Sequence, residues 1–111
     1  MPKSAKAPLD EAALQLVARR FAMLGEPMRL RILQALMAGE LPVNTLVEAT
    51  AGTQTNISRH LQTLAAAGLV ERRKEGLQVF YSVADPSIFE LCNLVCGGLR
   101  QSLKAQADRL G

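Results

Sequence analysis

Tryptophan is absent from the 111-residue chain, aromatic residues make up only 4% of it, and there are one histidine and two cysteines. Catalysis needs a base, a nucleophile or a metal site. The lone His60 has no partner that spacing nominates, and pairing it with Cys92 would require two distant helices to meet, so the chain is not read as an enzyme. Two cysteines four residues apart are too few and too close for a secreted disulfide framework, and they are expected as thiols in a reducing compartment. No apolar run approaches the roughly 20 residues that cross a bilayer, and the start, MPKSAKAPLD, lacks the apolar stretch of a secretory signal. The expected location is therefore cytoplasmic. No internal repeat or low-complexity stretch divides the sequence.

What is present suits one domain with one core, since 49% of the residues are hydrophobic and 21% charged. Residues 1–8, with Lys3, Lys6 and two prolines, read as a disordered basic lead-in, and residues 9–111 as a single domain. The net charge is only +3, but its location is informative: Arg59, Arg72, Arg73 and Lys74 stand within residues 59–74 against Glu71 alone. Such a local surplus favours a polyanionic partner, although a charge run is also what a solvated face looks like.

Apolar periodicity and capping residues set the order of elements. Asp10 and Glu11 open a first helix with Leu14, Val17, Phe21 and Leu24 as its apolar stripe, ending at Gly25. Pro27 starts a second, whose stripe of Leu30, Ile32, Leu33, Leu36 and Met37 runs to Gly39. Leu41 to Val43 is a short connection that Pro42 keeps extended. A third helix follows from Val43 to Thr50, then a turn at Ala51 and Gly52. Thr53 caps a fourth helix carrying Ile57, Leu61 and Leu64 as far as Ala67. From Leu69 the period changes to that of a hairpin over residues 69–83, turning at Lys74, Glu75 and Gly76. Asp85 and Pro86 open a last helix with Ile88, Leu91, Leu94, Val95 and Leu99 on its apolar face. The predicted fold is mainly α with a small β-hairpin, a winged helix-turn-helix.

In a helix-turn-helix the second helix enters the DNA major groove. With Ile57, Leu61 and Leu64 facing inward, Gln54, Thr55, Asn56, Ser58, Arg59, His60 and Gln62 are left outside. Arg pairs with guanine, Asn and Gln pair with adenine, and Ser, Thr and the helix N-terminus suit phosphates. The same residues would equally dress the wet face of any amphipathic helix. What favours DNA is the adjoining hairpin, whose Arg72, Arg73 and Lys74 would lie along the neighbouring backbone. The competing reading is a helical interaction module that does not bind DNA and whose cysteines are structural.

The runs LGEPMRLRILQAL and TQTNISRHLQTLAAAGLVERRKEGLQVFYSV, with the Asp85-Pro86 opening of the last helix, resemble the ArsR/SmtB family of small bacterial winged-helix repressors. The resemblance spans about residues 12 to 103. It implies a homodimer formed through the first and last helices, a pseudo-palindromic double-stranded operator, and an inducer that releases it. The apolar last helix independently suggests a dimer, because one small core cannot easily cover it. Family metal ligands are missing from both usual places: the start of the third helix reads Leu41, Pro42, Val43, Asn44, Thr45, and after Asp85 the last helix offers Ser87, Gly98 and Gln101. That argues against the usual zinc or cobalt sensing.

The remaining sensor candidates are Cys92 and Cys96, one turn apart on the last helix beside Gly97 and Gly98. A thiolate pair would bind a soft metal or metalloid, or work with no cofactor through oxidation or a persulfide. Bridging two cysteines at this spacing would distort the helix, and the paired glycines mark a weak point beside them. The other reading makes both cysteines ordinary small hydrophobes and the glycines sites of close helix approach.

Overall fold

A computed structural model describes residues 9–110. The lead-in predicted for residues 1–8 lies outside the described residues. Helix α1 (Glu11–Leu24) starts where the Asp10 carboxylate accepts the Ala13 N–H at 2.8 Å, and α2 (Pro27–Ala35) starts where Glu26 accepts the Arg29 N–H at 3.0 Å. Each cap satisfies an amide that has no partner inside its own helix. The α2 segment tightens into a 3₁₀ turn, Leu36–Ala38, and then enters β1 (Leu41–Pro42). Helices α3 (Val43–Thr50) and α4 (Gln54–Ala66) follow, then the hairpin β2 (Val70–Glu75) and β3 (Gln78–Val83), and finally α5 (Ser87–Leu110).

The sheet has three antiparallel strands in the order β1-β3-β2. Leu41 and Pro42, expected only as an extended connection, pair with Tyr81 and Phe80 and so add a strand to the hairpin. Register also moves the turn: Glu75 faces Gln78, so Gly76 and Leu77 form a two-residue turn, while Lys74 and Glu75 belong to β2. Gly76 has φ +62° at the first turn position, a conformation natural to glycine and matched to the twist of a hairpin.

One core ties these elements together. Ile32, Leu33, Leu36, Leu46, Ile57, Leu61, Leu64 and Leu69 are essentially inaccessible, and Val70, Tyr81 and Ile88 close its edges. The turn between α3 and α4 is built tightly into it. Ala51 adopts the left-handed conformation at φ 57°, a non-glycine residue where the helix must stop abruptly. A Cβ on the next residue, Gly52, would lie 2.7 Å from Cδ1 of the buried Ile57, so only glycine lets the turn approach α4 this closely. The Thr50 hydroxyl, buried beside this turn, donates to the Leu46 carbonyl at 2.7 Å and leaves no orphaned polar group.

Much of the apolar surface of the outer helices lies outside the core, as expected for the last helix but not for the stripe of the second. Of the α1 stripe only Leu24 is buried, while Leu14, Val17 and Phe21 are exposed. In α2 and the 3₁₀ turn after it, Leu30 and Met37 are exposed and the core takes Ile32, Leu33 and Leu36. Helix α5 is anchored at its root by Ile88, with Leu91 and Cys92 half-buried, and beyond that Leu94, Val95, Leu99 and Leu103 face solvent. The radius of gyration is 17.0 Å, against about 13 Å expected for a compact domain of this length. The excess fits a small head from which a 24-residue helix projects.

Candidate nucleic-acid interface

At about 100° per residue, the buried Ile57, Leu61 and Leu64 fix the orientation of α4 and sort its polar residues into three rows. Thr55, Arg59 and Gln62 lie on the crest opposite the core, and all three are exposed. Gln54 and Ser58 form the flank towards the hairpin, with the Gln54 amide 3.5 Å from the Ser58 hydroxyl. Asn56 and His60 form the flank towards α2 and are half-buried. The helix begins at Thr53, whose hydroxyl accepts the Asn56 N–H at 3.1 Å. Arg59 donates to the Asn56 side-chain oxygen, and the described residues offer it no carboxylate partner, so its charge faces outward.

His60 is engaged from behind. Its Nδ1 accepts the Arg29 Nε–H at 3.2 Å, and the same guanidinium donates to the Met23 carbonyl at 3.3 Å. With Nδ1 used as an acceptor, the neutral ring carries its proton on Nε2, the nitrogen left for an outside partner. Arg29 thereby links the end of α1, the start of α2 and α4.

Between α4 and the hairpin runs a groove of about 430 Å³, lined by Gln54, Ser58 and Gln62 on one wall and Arg72, Gln78 and Tyr81 on the other, with Asn44 at its end. Strand alternation puts Arg72 and Lys74 on the face of β2 that also carries the buried Val70. Both are exposed and have no ion-pair partner among the described residues. Asn44 and Gln78 were not singled out from sequence. Gln78 could have been found by setting the hairpin register on Gly76-Leu77, whereas nothing local marks Asn44.

Arg73 points to the opposite face. Its Nε and Nη2 donate to the two Glu40 oxygens at 2.9 and 2.8 Å, and Nη1 donates to Glu75. Its guanidinium carbon lies 4.6 Å from the centre of the Phe80 ring. The paired hydrogen bonds from Arg73 hold the Glu40 carboxyl below its usual range, and Glu40, followed by Glu75, raises the guanidinium above its ordinary value. Because folding lowers the Glu40 value, the contribution of this pair is complete above the ordinary carboxylate range, declines below it, and is lost as pH falls through the lowered value of the folded state.

The thiols are not brought into a shared environment. Cys92 packs against the core and Cys96 is exposed, and α5 runs unbroken through Gly97 and Gly98, neither of which approaches another element. Among the described residues no three His, Cys, Asp or Glu side chains converge as a metal site, and no helix is long and apolar enough to cross a membrane.

A short helix, a tight turn, a second helix with a polar crest and a flanking basic hairpin define a winged helix-turn-helix DNA-binding protein. A helix-turn-helix domain family matches residues 24–73. The chain is 36% identical over 94 residues to a Synechocystis transcriptional repressor, an SmtB homolog, covering 85% of this chain and 70% of that one. A probable mercury resistance operon repressor of Streptomyces lividans is 38% identical over 77 residues, which cover 69% of this chain and 62% of the relative. Among solved structures, the homodimeric winged helix-turn-helix DNA-binding domain of Mb0332 from Mycobacterium bovis, described as a possible ArsR-family regulator, superposes with a TM-score of 0.76 at 35% identity. That match covers 91% of this chain and 94% of the other. The chain belongs to the ArsR/SmtB family of DNA-binding transcriptional regulators.

Proposed function

We propose that the chain is a homodimeric repressor that reads a pseudo-palindromic operator with the crest of α4 and grips the adjoining backbone with Arg72 and Lys74. The observation that carries this reading is the groove in which Arg72 faces Gln54, Ser58 and Gln62, so that base-reading amides and a backbone-binding cation share one surface. Arg59 suits a guanine edge or a phosphate, and Thr55 and Ser58 suit phosphates. His60 meets the same surface through Nε2. The exposed apolar rows of α1 and α5 support pairing of two chains, as does the homodimeric state of the Mycobacterium bovis relative. Two-fold symmetry then sets half-sites about one helical turn, or a multiple of it, apart.

The test is a salt titration on a duplex that the wild-type protein selects from a random-sequence pool. Affinity is expected to fall steeply with salt, and Arg72→Ala to flatten the slope by about 0.9 for each phosphate that is no longer neutralised. Arg59→Ala is expected to weaken binding about tenfold or more, consistent with about 1–3 kcal/mol for a good base contact. Binding unchanged in both variants would remove this surface from the interface and favour a protein-interaction role.

A thiophilic inducer is the second part of the reading, favoured by Cys96, exposed on α5 one turn from Cys92, and by the mercury-operon relative. Hg(II) is expected to release wild-type protein from the selected duplex and to leave a Cys92→Ser, Cys96→Ser variant bound. Equal release of both proteins would overturn the thiol-sensing part of the reading.

A further inference from the structure

The wing carries three consecutive cations, and the structure separates them. Arg72 and Lys74 share the face that continues into the groove beside α4. Arg73 lies across the other face of the sheet. From β2 its side chain passes over Phe80 on the central strand β3 and ends in a two-pronged contact with Glu40, immediately before β1. One guanidinium thus spans all three strands, and Glu75 takes a further donor. With Glu40 and Glu75 beside it, the cluster carries a formal charge of −1, and Glu71 lies on the same strand face. A phosphate approaching here would meet carboxylates. The paired, planar geometry is one that arginine alone provides, because a lysine ammonium cannot present two parallel donors to one carboxylate.

We propose that Arg73 is a positioning residue for DNA binding and not a DNA contact: strapped over Phe80 to Glu40, it fixes the angle of the wing so that Arg72 and Lys74 meet the backbone beside α4. The strap joins the hairpin to the connection leaving α2, the helix that packs behind the reading helix through Arg29 and His60. Wing and reading helix are therefore held to a common base. Without the strap, the β2–β3 tip would open more readily and lose its fixed direction, and DNA binding would first have to order the wing before the two remaining cations made the same phosphate contacts.

The proposal rests on the DNA-binding reading above, and Glu40→Gln separates the two. That substitution removes one negative charge and the two-pronged ion pair, leaving Arg73 with Glu75 as its only carboxylate partner among the described residues. A DNA-contacting Arg73 would then bind the selected duplex as well or better. A positioning Arg73 predicts binding about tenfold weaker at every salt concentration, with an unchanged slope of log Kd against log salt. Arg73→Lys, which would keep a simple phosphate contact, is expected to behave like Glu40→Gln, whereas Arg72→Met is expected to flatten the slope. Hydrogen exchange without DNA supplies a readout independent of the interface: hairpin amides of Glu40→Gln and Arg73→Lys should exchange faster while α3 and α4 keep their protection. Tighter or unchanged binding by Glu40→Gln, a flattened slope in Arg73→Lys, or unaltered hairpin exchange would each overturn the strap. Should wild-type protein bind no duplex, the interface reading fails, and the exchange result alone decides whether Arg73 holds the wing. Should a variant melt too low to assay, exchange of the wild-type hairpin as acid protonates Glu40 and the neighbouring Glu75 provides the comparison, with α3 and α4 as the reference because Glu26 and Asp85, which cap α2 and α5, protonate as well. Loosening of the hairpin before the helices supports the strap, and simultaneous loosening of both opposes it.

Discussion

A Leu99→Glu, Leu103→Glu double variant is expected to be a folded monomer that binds the selected duplex at least 100-fold more weakly than wild type. Leu99 and Leu103 are more than half exposed in the single chain, so charging them disturbs no packing that the head makes with itself. Their thermal melting as separate heads should change little, because substitutions at exposed positions away from special features usually stay within about 0.5 kcal/mol. In a dimer the same positions would be covered, and four carboxylates at an apolar seam would carry a large desolvation penalty with no partner to offset it. Joining two reading heads turns the second half-site encounter into an intramolecular event, a gain of about 10²–10⁴ in avidity. Losing the seam forfeits that gain. Sedimentation velocity together with a binding isotherm checks it, and a variant that still sediments as a dimer would show that α5 is not the seam.

The second large effect is expected within the head. Leu61 is fully buried in the core cluster with Ile32, Leu46 and Ile57, on the inner side of α4, opposite the crest proposed to read DNA. Leu61→Ala removes that packing and leaves a cavity, at a cost of about 2–5 kcal/mol. Against a total of about 5–15 kcal/mol for a domain, this is a substantial share, and for a chain of this length it corresponds to a fall in melting temperature on the order of 10–30 °C. Gln62→Ala, one residue along, is the control. It should leave melting nearly unchanged and act instead on affinity, since Gln62 is exposed and lines the groove. Calorimetry and binding measured on the same pair of variants separate the helix's two faces. A lower melting temperature in Gln62→Ala alone would invert the assignment.

Helix α4 was legible from sequence because its signals are local. Thr53 caps it, Ile57, Leu61 and Leu64 recur at helical spacing, and the polar residues fall where that stripe leaves them. Signals that depend on distant pairing were not legible. Two residues, one of them proline, carry no strand pattern, and Leu41 and Pro42 become a strand only because β3 lies alongside. The strap joins Arg73 to a carboxylate 33 residues away, so local sequence shows three equivalent cations where the fold makes two of one kind and one of another. Helices α1 and α5 show a different limit. Their apolar stripes are real, but periodicity reports that a face is greasy and not which surface covers it; in the single chain most of those residues face water. The cysteines share this ambiguity, and the structure divides them, one against the core and one outside it.

The projection of α5 from the head has a consequence for how operators can diversify. Because only its root is embedded, the long helix would act as a calliper arm in the proposed dimer: where two arms cross would set the gap between the heads, and the heads themselves need not be altered. Small residues at Gly97 and Gly98 lie along the arm, beyond the embedded root. Changes there would reset operator spacing while leaving the recognised letters as they are.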